Sequence, residues 1–188
     1  MKKELDPARL ELAAALGHVI AAKTLGKAPR ALGDGPEARV RAALKTLSDE
    51  RLLRRWLCRA AQQLVPLHEA ANGGTSPVKQ ALSAAIGHGE GRVGSTALEA
   101  GREAILRCKI GAGVPAAEAP ELRAARAVAA AALLLCEDDR LGKRLEAVVE
   151  LLVRACSDAA VASGEAQPRA VAAAWTWLGN QLADELLG

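Results

Sequence analysis

The stretch RLLRRWLCRAAQQL, residues 51–64, decides the fold. Its apolar residues recur at steps of three and four, which places them on one face of a helix. Arginines occupy the opposite face of the same helix. This pattern predicts an amphipathic α-helix whose apolar stripe faces a protein core. The stripe consists of Leu52, Leu53, Trp56, Leu57, Ala60 and Leu64.

The composition around this stretch predicts the same structure throughout the chain. Of the 188 residues, 43 are alanine and 28 are leucine, and phenylalanine and tyrosine are absent. Alanine and leucine are strong helix formers, whereas the β-branched and aromatic residues typical of sheets are scarce. Small side chains also let helix axes approach closely. We therefore predict an all-α protein, either a multi-helix bundle or an irregular array of helical hairpins.

Glycine, proline and capping residues divide the chain into about eight predicted helices. Asp6 and Ser48 are the expected N-caps of the first and third, and Thr96 with Glu99 matches a capping box. Pro66 is expected to kink or split the third helix. The length suits a single domain, residues 1–188, with a subdivision conceivable near 111–119. The predicted helices cover residues 7–24, 37–47, 48–71, 77–86, a fifth from 95 or 96, 120–136, 138–163 and 168–187.

The cysteines and the hydropathy pattern place the protein in the cytoplasm. The four cysteines form no CxxC pair, so we expect reduced thiols rather than disulfides or a zinc site. The longest strictly apolar run, residues 127–136, has 10 residues, whereas a membrane span needs about 20. The three histidines lack metal-binding spacing such as HExxH. We expect no metal, no cofactor and no membrane insertion.

Charge is distributed unevenly along the chain. Residues 1–110 contain 18 basic and 11 acidic residues, a net charge of +7, whereas residues 111–188 contain 7 and 11, a net charge of −4. Opposite charges of this kind attract each other within one fold, between two copies or toward separate partners. The sequence does not choose among these, and it leaves a homo-oligomer open.

Arginines form the most prominent candidate binding surface. Arg51, Arg55 and Arg59 fall within about 80° of one another on a helix of 100° per residue, and Arg54 lies beside them. This face would dock an acidic protein or phosphate groups, unless it is simply a solvated helix face. No aromatic residue is interleaved with these arginines for base stacking, which counts against nucleic acid.

Two tryptophans near the C-terminus point in nearly opposite directions. Trp175 aligns with Val171, Leu178 and Leu182, and should lie in the core. Trp177 then faces outward, where a tryptophan is a favourable interface anchor.

Two further motifs have both a chemical and a structural interpretation. Cys58 lies among the arginines, whose charges would lower its thiol pKa and make it reactive, unless a neighbouring helix buries it. Residues 89–94, GEGRVG, match GxGxxG. No strand precedes them, so we interpret them as a connection between helices, with anion binding at Ser95 or Thr96 as the alternative.

Residues 57–69 have the sequence LCRAAQQLVPLHE, and Ser76-Pro77 and Ala81-Leu82 follow. Through these segments, residues 57–135 resemble a family of all-helical, alanine-rich immunity proteins from bacterial polymorphic toxin systems. The resemblance implies a helical bacterial protein that binds a cognate toxin, and it implies no catalytic residue.

These observations favour a non-catalytic protein that binds a partner protein, immunity-like or adaptor-like. The expected binding residues are Arg51, Arg54, Arg55, Arg59 and Trp177. The alternative is a helical nucleic-acid-associated subunit that contacts phosphates through the same arginines. A third hypothesis is an enzyme that uses Cys58 or an anion site near residues 89–96.

Overall fold

In the part of the chain that the computed structural model describes, residues 6–74, 76–108, 119–137 and 141–188, nine α-helices and no strand are present. They pack into a single helical bundle, which confirms the all-α prediction. The predicted subdivision near 111–119 and the Asp138–Arg140 start of the seventh predicted helix lie largely outside the described residues. The helices are α1 (Pro7–Ala15), α2 (Val19–Leu25), α3 (Pro36–Thr46), α4 (Glu50–Asn72), α5 (Pro77–Gly89), α6 (Ser95–Leu106), α7 (Pro120–Leu135), α8 (Leu145–Ala162) and α9 (Gln167–Leu187).

α4 is the central helix of the bundle. α5, α7, α8 and α9 all pack against it, and its predicted apolar stripe is buried from Leu52 to Leu64. α6 packs mainly on α5, α1 and α3 pack on α9, and α2 packs on α1. The stretch that predicts the fold from sequence therefore lies at the centre of the structure.

Small residues bring the helices into close contact, as the composition predicts. Ala60 and Ala61 of α4 and Ala81 of α5 are fully buried. A Cβ atom built at Gly101 of α6 would lie only 2.9 Å from the Cα of Ala81. Since non-bonded carbons pack at about 3.5–4.0 Å, only glycine permits this approach of α6 to α5.

The first predicted helix, residues 7–24, is wrong because the chain breaks at Gly17. This glycine has a φ of +103°, a left-handed conformation that costs a glycine little. His18 then caps α2, since its Nδ1 accepts the N–H of Ala21 at 3.1 Å. The cap satisfies a helix N-terminal amide that would otherwise lack a partner. This break accounts for nine helices rather than eight.

Two other predictions about helix ends need correction. Asp49, not Ser48, caps α4, and its Oδ1 accepts the N–H of Leu52 at 3.1 Å. α6 begins after Gly94 without any side-chain cap, so the Thr96 capping box does not form. Pro66 lies inside α4 without splitting it.

The GxGxxG segment connects two helices, as predicted. α5 ends at Gly89, and no strand precedes the motif. The N–H of Gly91 donates to the carbonyl of His88 at 2.9 Å, and that of Arg92 donates to the carbonyl of Gly87 at 2.7 Å. These amides complete the C-terminal end of α5, so they do not form the phosphate cradle of a dinucleotide site.

Candidate functional site

α4 and α9 run antiparallel, and their side chains meet in register along one line. Both Arg55 and Arg59 bond to Glu185. One turn further along α4, the Nε2 of Gln63 donates to the Oε1 of Gln181 at 2.6 Å. We call this line of side chains the α4–α9 seam. It comprises Arg55, Arg59 and Gln63 of α4 together with Trp177, Gln181 and Glu185 of α9.

Glu185 is the buried carboxylate of the seam. Its side chain is only 4% exposed, and it accepts hydrogen bonds from the Nε of Arg55 and, at 2.9 Å, from the Nη1 of Arg59. A buried carboxylate is tolerated when charged donors satisfy its oxygens. The basic first part and the acidic second part of the chain therefore attract each other within one molecule. Arg41 of α3 makes a second such link, to Glu150 of α8.

The structure distributes the four predicted arginines among different roles. Arg51 is exposed and has no ion pair or hydrogen bond among the described residues. The side chain of Arg59 is 58% exposed, and that of Arg55 is 33% exposed, so both reach solvent while they bond to Glu185.

The prediction that Arg54 shares this face is wrong. Arg54 is buried, and its Nη1 donates to the carbonyls of Leu135 at 3.1 Å and Glu137 at 3.3 Å. The last carbonyls of a helix have no partner within that helix. Arg54 supplies donors at the end of α7 and contributes to structure rather than to an outer surface.

Trp177 lies on the same seam, beside an open groove. It is half-buried, packs partly on the core and lines a groove of about 260 Å³ between α4, α8 and α9. Trp175 is buried and faces the other side of α9, as predicted. The prediction that Trp177 faces outward is thus only partly right, because the ring is half-buried and packs against the core. Four alanines complete the lining, Ala160, Ala170, Ala173 and Ala174.

Tertiary structure therefore places Arg59 and Trp177 along the same seam, although they are far apart in sequence. Gln63 lies one turn from Arg59 and also lines the groove beside Trp177. At 1.5 Å per residue, Arg51 lies about 18 Å from Gln63 along α4. Sequence analysis missed Gln63 and Gln181, although each stands four residues after a predicted binding residue, the spacing of neighbours on one helix face.

Cys58 does not have the properties of a reactive thiol. It is fully buried, and burial raises its pKa to about 12, with a smaller upward contribution from nearby Cys136. Arg54 lowers the pKa as the sequence suggests, but its effect is smaller than that of burial. The interpretation of Cys58 as a buried residue is therefore confirmed, and the alternative of a thiol activated by the arginines is not supported.

His68 is fully buried in α4, and both of its ring nitrogens lack a hydrogen-bond partner within the described part of the chain. Burial lowers its pKa, so the ring is neutral at physiological pH. The described residues contain no group of three or more histidine, cysteine or acidic side chains arranged to hold a metal ion.

No protein family matches this chain, and no curated protein or solved structure matches it either. Among the described residues, no helix combines the length and the apolar character that a membrane span requires.

Proposed function

We propose that the protein is a non-catalytic binding module that docks an acidic segment of a partner protein on the α4–α9 seam. The observation that supports this proposal is the position of Arg59 and half-buried Trp177 on one seam, next to an open groove. Tryptophan and arginine are the residues most often responsible for binding energy at protein interfaces. The side chain of Arg51, about two turns before Arg59 on the same face of α4, has no ion pair within the described ranges, and its charge favours an acidic partner.

The groove limits what the partner inserts. Its volume, about 260 Å³, lies below the roughly 300–1,000 Å³ typical of small-molecule pockets. Its walls are alanine, leucine, cysteine and the Trp177 ring, which suit an aliphatic side chain. The expected partner segment therefore presents one apolar side chain at the groove and carboxylates toward Arg59 and Arg51.

An immunity-like role, in which the partner is a toxin, is the version of this proposal that the sequence resemblance favours. An adaptor-like role uses the same surface with a different partner. We place the protein in the bacterial cytoplasm, and its four free cysteines agree with a reducing compartment.

The test begins with a pull-down of the tagged protein from its native host after nuclease treatment, and continues with calorimetry on the purified partner. The variant A173R fills the groove from an exposed position, and A172R is its matched control, exposed on α9 but outside the groove. We expect A173R to abolish binding and A172R to leave it unchanged. W177A should cost about 2 kcal/mol, roughly a 30-fold loss in affinity.

Two outcomes would contradict the proposal. If A173R and W177A bind the partner as tightly as the wild type, the seam is not the docking surface. If nucleic acid co-elutes instead, is lost in the R51Q/R59Q variant and dissociates steeply as salt rises, the alternative of a nucleic-acid-associated subunit is correct. Expression of the isolated partner distinguishes the two protein-binding roles, because only a toxin arrests growth without this chain.

A further inference from the structure

A second concave surface lies beside a neighbouring face of α9. It is a cleft of about 490 Å³ with walls from α3, α7, α8 and α9. Trp175 forms its back wall, and the guanidinium carbon of Arg41 lies 5.0 Å from the centroid of that ring. The cleft shares no lining residue with the groove beside Trp177.

Each carboxylate in the lining of the cleft already has a cationic partner. Arg41 donates to Glu37 at 2.9 Å and also to Glu150. Asp158, whose side chain is 6% exposed, accepts two hydrogen bonds from Arg123, at 2.9 Å from Nη2 and 3.3 Å from Nε. Arg41 is shared by two glutamates, so these three acids engage two of the three arginines that line the cleft.

Three arginines line the cleft, and Arg154 is the one that takes no part in these ion pairs. It stands four residues after Glu150 and four before Asp158, a spacing at which oppositely charged side chains on a helix normally pair. Both neighbours are instead held by Arg41 of α3 and Arg123 of α7. Arg154 is exposed, and its guanidinium makes no ion pair or hydrogen bond within the described ranges. The three arginines and three carboxylates of the lining balance in charge, and the Arg154 guanidinium is the charged group that remains open to a ligand.

We propose that this cleft binds a small organic acid whose carboxylate or phosphate contacts Arg154. A guanidinium presents paired N–H donors that match the two oxygens of either group. The volume of about 490 Å³ falls within the range of small-molecule sites, roughly 300–1,000 Å³. Val153 and Val171 supply apolar wall for the body of the ligand. A simple inorganic anion would leave most of this space unfilled.

Four probes with similar aromatic bodies test the proposal: phenyl phosphate, benzoate, benzylamine and benzyl alcohol. Their binding is followed by calorimetry and by the indole N–H signal of Trp175 in ¹⁵N-labelled protein. We expect at least one of the two acids to bind with a dissociation constant of about 1 mM or tighter and to shift the Trp175 signal but not that of Trp177. The amine and the alcohol should bind at least tenfold more weakly.

Variants assign the site. R154Q should weaken binding of the acid at least tenfold, because it removes the positive charge. Position 154 is exposed on α8, so the substitution should leave the fold intact. R39Q, an exposed arginine of α3 outside the cleft, is the matched control and should bind like the wild type. Thermal unfolding of both variants checks that they are folded.

Tighter binding of phenyl phosphate would assign the site to phosphate esters, and tighter binding of benzoate would assign it to carboxylates; either result supports the proposal. Failure of both acids to bind, equal binding of all four probes, or wild-type affinity in R154Q would overturn it.

Discussion

The α4–α9 seam and the cleft behind Trp175 both include side chains of α9, and both combine arginines with a buried carboxylate. In the seam, Arg55 and Arg59 share Glu185. In the cleft, Asp158 is held by Arg123 alone, while Arg154, its neighbour on α8, has no partner in the described part of the chain.

This difference shows how an arginine becomes available for a ligand in a charge-balanced protein. In the seam, the charges near Glu185 hold two helices together, and Trp177 offers the open surface. In the cleft, Trp175 is buried, and the group that is available to a ligand is the guanidinium of Arg154. A charged side chain is available to a ligand when arginines or carboxylates from other helices already pair with its neighbours on the same helix. Otherwise it pairs with those neighbours and contributes to structure.

The largest expected effect comes from the removal of the Glu185 charge. E185Q leaves two cations without their shared carboxylate, and breaking a buried ion pair usually costs several kcal/mol. Because Arg55 and Arg59 are partly solvated, we expect a loss of about 2 kcal/mol in the free energy of unfolding. D158N, which frees only one cation, should cost about 1 kcal/mol. Urea unfolding of both variants measures the two losses.

R59Q is the control for this comparison. It removes the more exposed of the two cations and leaves Arg55 on Glu185, so its cost should stay below about 1 kcal/mol. Equal losses in the free energy of unfolding for E185Q and D158N would contradict this comparison. They would show that a carboxylate shared by two arginines stabilises the fold no more than one paired with a single arginine.

A smaller effect is expected from pH, through His68 near the C-terminal end of α4. The unfolded chain binds a proton on this residue near its ordinary pKa of 6.5, whereas burial lowers the pKa in the folded protein. The unfolded state therefore holds more protons as pH falls below about 6.5, and stability decreases. We expect the melting temperature to fall between pH 7.5 and pH 5.5, and to fall less in H68L.

D158N provides a check on this assignment, because it alters the charge of the cleft and keeps His68. It should retain the pH dependence of the wild type between pH 7.5 and 5.5. A decline of the same size in H68L would show that other groups cause it.

The smallest effect concerns the rate of thiol labelling. Cys108 is half-exposed, whereas Cys156, which lines the seam groove, has a pKa that burial raises to about 12. Cys58 and Cys136 are buried, with pKa values raised to about 12 and about 11. At pH 8 a disulfide reagent should label Cys108 first and Cys156 more slowly, and the buried pair only when the protein unfolds. Mass spectrometry of timed samples measures this order, and early labelling of Cys58 would revive the reactive-thiol hypothesis.

Most of the helices could be predicted because their signals are local. Proline, glycine and capping residues set the ends of α3, α5, α7 and α9 to within a few residues, and the apolar period identified the buried face of α4. The same local signals failed at Gly17, where a glycine and a histidine cap interrupt an otherwise helical run.

The candidate site could be predicted only in part. Arg51, Arg59 and Trp177 were identified from helix-face geometry, but Arg54 was assigned to the wrong environment because a helical wheel does not show which neighbour covers a face. The end of α7, 81 residues away, binds Arg54. Gln181 and Glu185 gained importance only through contacts with α4.

The sequence by itself determined that this protein is helical and which faces of α4 and α9 carry their core residues, because alanine-rich composition and apolar period act over a few residues. The tertiary structure alone decided which charges meet. Ion pairs such as Arg55–Glu185 and Arg41–Glu150 join residues more than 100 positions apart. Their formation depends on how helices pack, and that packing placed Arg59 and Trp177 on one seam and left Arg154 open in the cleft.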